Sequence, residues 1–163
     1  MLDDKNIKAW YAAEVKERMN EYDLKPYHVA YKCQIRHSAV SNYLSGNVWP
    51  NPWSLVLMAE LFECCVDDLL GYDTPDDISI FERYQASRMF ANKEEYAHCF
   101  AERLVGYLNN NDISMEDLSK RSGFTVKTLK TWTNDFNPKL PATSRVLEIC
   151  SALDCTPSEL LGY

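Results

Sequence analysis

The 163-residue chain contains an internal repeat. Residues 68–72 read DLLGY and residues 159–163 read ELLGY, 91 positions further on. Residues 58–64 correspond to residues 149–155 at the same offset, whereas Val29 corresponds to Leu118 and Tyr43 to Trp132 at an offset of 89. The second copy therefore has two extra residues, within 134–143, a proline-containing loop of the kind that accepts insertions. Because similar sequences adopt similar folds, the repeat constrains the architecture before any other feature does.

The repeat predicts two domains, residues 1–72 and 92–163, with residues 73–91 as the linker. The linker begins with the turn-forming sequence DTPDD at residues 73–77 and continues into residues 78–90, whose spacing is compatible with a short helix. If the linker is a flexible coil, its root-mean-square span is roughly 24 Å.

Within each copy the apolar residues recur at helical spacing, and no segment shows sustained strand alternation. Turn-forming residues interrupt the pattern at short intervals, which predicts an all-α protein with four to five short helices in each domain. The first helix is expected to bury Trp10, Ala13, Val15, Met19 and Tyr22, and its counterpart in the second copy to bury Tyr96, Phe100, Leu104, Tyr107 and Leu108.

Two short helices joined by a tight turn follow in the second copy. Ser114 is placed to cap a helix over residues 115–121, and Gly123 supplies the left-handed residue at which that helix ends. Thr125 is placed to cap the next helix, residues 126–133. This spacing predicts a helix-turn-helix. The side chains expected to face inward are Leu118, Phe124, Leu129 and Trp132.

The first copy has the same pattern. Pro26 opens a helix at its first position, and a second helix, residues 37–44, ends at Ser45 and Gly46. Over residues 14–71 and 100–162 the sequence resembles the Cro/lambda-repressor (XRE-type) helix-turn-helix family. The resemblance implies two tandem lambda-repressor-like domains, with the second to fifth helices of the first copy at residues 26–32, 37–44, 53–62 and 66–70. Val29, Ala30 and Cys33 are expected to point inward.

The family resemblance also implies which residues contact double-stranded DNA, because such proteins place the second helix of the motif in the major groove. By position, the base-contacting residues are His37, Ser38, Ala39 and Asn42 in the first copy and Val126, Lys127, Lys130 and Thr131 in the second. Phosphate contacts, which position the protein without reading sequence, are implied for Lys32, Arg36, Asn47, Lys120, Arg121 and Lys139.

Three departures from the family pattern bear on DNA binding. Gln34 stands in the first turn where the family usually has glycine, and a glutamine with positive φ costs roughly 1–2 kcal/mol, so this turn is open to alteration. Pro26 replaces a glutamine that contacts phosphate in many members. Residues 133–136 (TNDF) bring an acid, Asp135, close to an expected backbone contact. Either copy can have kept the fold while losing DNA recognition.

The charge distribution leaves two function classes open. The net charge is −7, yet residues 24–59 contain no acid and carry +3, and residues 118–147 carry +5, leaving −15 on the rest. Two locally basic segments favour a sequence-specific, DNA-binding transcriptional regulator of the phage or bacterial repressor type. The acidic remainder favours the alternative, a protein-binding module such as an antirepressor or an inhibitor of a nucleic-acid enzyme. A protein with one copy on DNA and the other on a protein partner is also consistent.

The remaining features predict a non-enzymatic cytoplasmic protein without cofactor or metal. The N-terminus lacks a signal-peptide pattern and no apolar run is long enough to span a membrane. Cys33 and Cys150 are interpreted as core residues, and the neighbouring Cys64 and Cys65 are the candidates for thiol sensing or metal binding. Trp49 and Trp53 are assigned to core or dimer packing, Tyr43 and Trp132 to the core. A homodimer is compatible with the sequence, and two tandem copies can also act as a pseudo-dimer on an asymmetric DNA site.

Overall fold

A computed structural model describes residues 3–73 and 89–163, and all regular secondary structure in these two ranges is α-helical. The all-α prediction is confirmed. Residues 3–73, called the first half below, form five helices: α1 (Asp4–Glu21), α2 (Pro26–Lys32), α3 (His37–Leu44), α4 (Pro52–Leu61) and α5 (Val66–Leu70). Residues 89–163, called the second half, form α6 (Lys93–Asn110), α7 (Met115–Ser122), α8 (Val126–Trp132), α9 (Thr143–Leu153) and α10 (Pro157–Leu161).

Local sequence signals set both ends of α7 and the start of α8. The Ser114 hydroxyl accepts a hydrogen bond from the Asp117 amide (3.1 Å) at the start of α7, and Thr125 Oγ1 accepts one from the Thr128 amide (3.1 Å) at the start of α8. Gly123 ends α7 with φ of 79°. These bonds satisfy amides that a helix leaves unpaired at its first turn. The predicted bounds therefore lie within one residue of the observed ones for α2 to α5, α7 and α8.

The buried face of α1 differs from the prediction. Val15 and Met19 are buried as expected, but their partners are Ile7, Tyr11 and Ala12, because residues four apart share one side of a helix. The predicted Trp10, Ala13 and Tyr22 are exposed, Trp10 to 51%. The indole of Trp10 lies over Gly71, where an added Cβ would meet it at 3.0 Å. In α6 the prediction is correct for Tyr96, Phe100, Leu104 and Leu108, with Tyr107 partly buried.

Helix α4 lies at the centre of the molecule. Every residue from Pro52 to Ala59 is buried, whereas the equivalent helix of the second half, α9, exposes Arg145, Glu148 and Ser151. A helix that is buried all round must be covered from more than one side. Part of the cover comes from the second half, since the ring of Trp53 packs on Tyr96 with centroids 5.2 Å apart.

The two halves also pack through α5 and α10. The Asp67 amide donates to Ser158 Oγ (3.0 Å), and the Ser158 amide donates to Asp67 Oδ1 (2.8 Å). These two residues are 91 positions apart, so they occupy the same place in the sequence repeat. The two residues exchange hydrogen bonds reciprocally, which is the pattern of contact found in isologous interfaces. This contact holds the two halves against each other.

The neighbouring hydrogen bond between the halves is not reciprocated. The Val66 amide donates to the Tyr163 carbonyl (2.8 Å), but the residue equivalent to Val66 is Pro157, which has no amide hydrogen to return the bond. Most of the predicted linker helix, residues 78–90, lies outside the described residues. Of its described end, Phe90 packs edge-on against Trp53 and Tyr96.

Candidate nucleic-acid interface

The turns before α3 and α8 have the same backbone form despite different residues. Gln34 has φ of 56° and its repeat equivalent Gly123 has φ of 79°. The expected alteration of the first turn is therefore not observed in this angle. The side chain of Gln34 accepts a hydrogen bond from the Trp53 indole (2.9 Å) and donates one to the Ala91 carbonyl (3.4 Å). These bonds, made to the core and to the second half, offset the cost of the left-handed conformation.

Helix α8 borders an open groove. Four predicted base-contacting residues, Val126, Lys127, Lys130 and Thr131, line it together with two residues of the following loop, Asn134 and Asn137. Its volume is about 440 Å³. Lys127, Lys130 and Thr131 are exposed and Val126 is half-buried. The Thr131 hydroxyl donates to the Lys127 carbonyl (3.1 Å), which leaves its oxygen as an acceptor.

The predicted phosphate contacts of the second half, Lys120, Arg121 and Lys139, are all exposed. Arg145, another cation of residues 118–147, has partners within the protein. It pairs with Glu148 (3.1 Å) and lies 5.2 Å from the centre of the Phe124 ring. The surface around α8 therefore presents cations and amides with hydrogen-bond donors directed to solvent. Phosphate oxygens and purine acceptor atoms are the natural partners of such groups.

The loop between α8 and α9 is held in place by the side chain of Asn134, one of its own residues. Asn134 Oδ1 accepts hydrogen bonds from the amides of Phe136 and Asn137, both at 2.9 Å. The Lys139 amide donates to the Thr131 carbonyl (3.1 Å) and Pro138 is buried. Asp135, the acid noted in the sequence, is exposed and borders a cleft of about 130 Å³ against α6 rather than the groove beside α8.

The corresponding surface of the first half is less charged. His37, Ser38 and Asn42 are exposed on α3, Ala39 is half-buried, and α3 contains no lysine, arginine or acid. Lys32 and Arg36 are exposed nearby, while Asn47 donates to Ser45 Oγ (3.0 Å). On α2, Tyr27 and Tyr31 are exposed to 59% and 83%. Their repeat equivalents in α7 are Glu116 and Lys120.

Three tryptophans, Tyr43 and the cysteines that the sequence assigned to packing are buried or partly buried. Trp53 and Trp132 are buried, Tyr43 is half-buried, and Trp49 is partly buried with its indole donating to Asp4 Oδ1 (2.8 Å). Cys33, Cys64, Cys65 and Cys150 are buried. Burial raises the pKa of the Cys64 thiol to about 12, so this thiol is a weak nucleophile at neutral pH. Within residues 3–73 and 89–163, no three metal-ligating side chains are grouped to hold a metal ion.

Sequence reasoning missed three residues at this surface. Gln34 was expected to distort its turn, and its bond to Trp53 joins residues 19 positions apart that no local pattern connects. Asn134 had a usable signal, since asparagine often bonds amides two residues on in turns. Phe136 carried no signal for its 92% exposure, because a single phenylalanine in a loop is usually assigned to packing.

The geometry of α7, α8 and their turn agrees with a comparison to known families. Residues 103–163 match the model of the Cro/C1-type HTH DNA-binding domain. The match begins inside α6 and covers the rest of the second half, including all the cations around the groove. It does not by itself assign the first half. No curated protein and no solved structure matches the chain at a significant level.

A Cro/C1-type HTH DNA-binding domain in the second half supports a DNA-binding regulator in general terms. Among the described helices, none is both long enough and apolar enough to cross a membrane.

Proposed function

We propose that this protein is a sequence-specific, double-stranded-DNA-binding transcriptional regulator of the repressor type, in which α8 is a recognition helix. The observation that carries the proposal is the groove beside α8, lined by Lys127, Lys130 and Thr131 within a segment that matches a DNA-binding family. An exposed lysine on such a helix can reach the O6 and N7 acceptors of guanine or the phosphates beside them. Lys120, Arg121 and Lys139 add sequence-independent attraction to the backbone.

We further propose that the first half is a second helix-turn-helix domain and that α3 reads a neighbouring half-site. Its helix order parallels that of the second half, and the reciprocal Asp67–Ser158 bonds pair the halves as subunits pair in a dimer. Because α3 offers His37, Ser38 and Asn42 whereas α8 offers lysines and a threonine, the two half-sites have different sequences. A single chain then binds an asymmetric site without a second copy.

The experiment is selection from a random double-stranded oligonucleotide library at two salt concentrations. An enriched asymmetric motif, with affinity that falls steeply as salt rises, is the expected result. Each phosphate contact contributes about −0.9 to the slope of log affinity against log salt.

Two variants sharpen the test. Replacing Lys127 and Lys130 by alanine weakens binding and reduces the magnitude of the salt slope for each phosphate contact removed. Lys16→Ala, which removes an exposed cation from α1, is the matched control and leaves binding unchanged. The proposal is contradicted if no DNA sequence is enriched, or if the double alanine variant binds DNA as tightly as the Lys16→Ala control.

A second candidate, a protein-binding role for the first half, is favoured by the exposure of Tyr27 and Tyr31 on α2 and by the absence of charge on α3. Exposed tyrosines are common anchors in protein interfaces. On this hypothesis the enriched DNA motif is a single half-site, and substitutions on α3 leave its recognition unchanged.

A further inference from the structure

Phe136 is the most exposed of the large apolar side chains in residues 3–73 and 89–163, at 92%. A phenylalanine held in water gives up the free energy that burial of its ring would provide. It lies between Asp135 and Asn137, and Asn137 is part of the wall of the groove beside α8. The exposed ring is therefore continuous along the chain with the surface proposed to bind DNA.

The structure presents this ring on an ordered turn. The amides of Phe136 and Asn137 are both bound by Asn134 Oδ1, and the chain is fixed again at Lys139, whose amide bonds the Thr131 carbonyl. A segment already held in one conformation loses little entropy when it binds a partner.

Only the second half has an extended loop of this kind after the second helix of its helix-turn-helix segment. In the first half the loop after α3 contains Gly46, with φ of 73°, and an added Cβ there would lie 3.5 Å from the Lys8 carbonyl oxygen. That loop packs directly against α1. The loop of the second half is two residues longer and is separated from α6 by the cleft beside Asp135.

We propose that Phe136 contacts the apolar surface of the DNA duplex, either a deoxyribose or the C5-methyl group of a thymine, at the edge of the half-site bound by α8. This inference rests on the proposed function. Duplex DNA is the occupant because Asn137, the residue after Phe136, lines the same groove as the exposed cations Lys127 and Lys130. The neighbouring Asp135 carboxylate opposes a phosphate contact at Phe136, which leaves an apolar contact as the one the ring can make.

The test compares Phe136→Ala with the unmodified protein on the oligonucleotide that the unmodified protein selects, by fluorescence anisotropy over a series of salt concentrations. We expect about ten-fold weaker binding, equivalent to about 1.4 kcal/mol, at every salt concentration. The salt slope stays unchanged, because an apolar contact releases no counterion from DNA. Phe136→Leu keeps an apolar side chain and retains most of the affinity. Lys127→Ala, in contrast, changes the slope if it removes a phosphate contact.

Replacing the thymines of the half-site by uracil distinguishes the two apolar surfaces. If the ring contacts a methyl group, uracil weakens the binding of the unmodified protein more than that of Phe136→Ala. If it contacts a deoxyribose, uracil changes the affinity of both proteins by the same factor, and the loss caused by Phe136→Ala remains.

Equal affinity of Phe136→Ala and the unmodified protein overturns the inference while leaving the proposed function intact. A changed salt slope for Phe136→Ala also overturns it, because the ring would then act by positioning a cation. Failure of the unmodified protein to bind any DNA overturns the proposed function and the inference with it. Circular dichroism of Phe136→Ala confirms the fold, which should be unaffected because the ring is exposed.

Discussion

Gln34 and Gly123 occupy the same position in the two turns, with φ of 56° and 79°. The conformational free energy that each residue requires to adopt this angle is different. Glycine adopts the left-handed region without steric penalty, whereas glutamine does so only when the surrounding structure holds it there. Here the Trp53 indole and the Ala91 carbonyl bind its side chain. The family pattern identifies the departure at position 34, but the compensation comes from residues distant in sequence.

Gly123→Ala isolates the conformational cost, because nothing lies within 4 Å of an added Cβ at this position. We expect the free energy of unfolding to fall by about 1–2 kcal/mol, since alanine is strained at positive φ. Gly106→Ala is the matched control, because this glycine lies inside α6 and also has open space around it. It should stabilise the protein by about 0.5–1 kcal/mol. Urea denaturation measures both, and a destabilised Gly106→Ala would contradict the reasoning.

Asp67 provides a pH-dependent prediction. Burial raises the pKa of its carboxyl, an effect that the polar groups of Ser158 and Thr156 beside it only partly offset. Its Oδ2 atom is buried without a hydrogen-bond partner. Because the folded state then binds the proton more tightly than the unfolded state, the contribution of Asp67 to stability falls as pH rises from about the ordinary 3.8 through the raised pKa. Above that pKa the penalty is constant.

Asp67→Asn should remove this decline. The free energy of unfolding of Asp67→Asn, relative to that of the unmodified protein, should therefore increase as pH rises through this window. Urea denaturation of both proteins between about pH 3.5 and pH 7 measures the difference. The exposed Asp73→Asn is the control and should follow the unmodified protein. Parallel pH profiles for Asp67→Asn and the unmodified protein would show that the carboxyl is not the cause.

Corresponding helices of the two halves expose different side chains to solvent. Helix α8 carries Lys127 and Lys130 beside a groove, while the exposed side chains of α3 are His37 and neutral polar residues. Helix α4 is buried all round, whereas α9 keeps a polar face. The same helix order thus supports two different surfaces, with the stronger positive field at α8.

Charge reversal tests this difference between α8 and α3, the two helices proposed to read DNA. Lys127→Glu with Lys130→Glu should weaken DNA binding far more than Lys32→Glu with Arg36→Glu, because the first pair lies in a larger cluster of exposed cations. Electrophoretic mobility shift on the selected oligonucleotide, at one fixed salt concentration, gives the comparison. Equal losses would mean that the two halves contribute equal electrostatic attraction, and would exclude a first half that binds only protein.

At the scale of the whole molecule, the interface between the halves determines the geometry available to a ligand. The Asp67–Ser158 pair, the Val66–Tyr163 bond and the packing of Trp53 on Tyr96 fix one half against the other. A protein built in this way offers α8 and α3, the two helices proposed to read DNA, at one spacing, whereas a flexible tether would allow many.

Ser158→Asp tests the pairing, because it places a second carboxylate directly against Asp67 in a buried site. We expect a loss of about 3 kcal/mol or more in the free energy of unfolding, since the added charge has no buried partner. Small-angle scattering should then show a larger radius of gyration if the halves separate while remaining folded. Ser41→Asp, on the exposed side of α3, should change stability by no more than about 0.5 kcal/mol. Unchanged stability of Ser158→Asp would contradict the described interface.

Local patterns in the sequence predict α2 to α5, α7 and α8 to within one residue, and they name the residues of the candidate site. Caps, glycines and apolar spacing are local, so Ser114, Gly123 and Thr125 place α7 and α8 without knowledge of the rest of the chain. The family resemblance then assigns Lys127 and Lys130 to the exposed surface on which they lie. Tertiary contacts, in contrast, determine which face of α1 is buried, why Gln34 is tolerated and why α4 is covered on all sides. They also bring Asp67 against Ser158, 91 positions further on. These features depend on contacts between residues far apart in the chain, and the free energy of such contacts is set by the packing of the two halves, which local patterns do not encode.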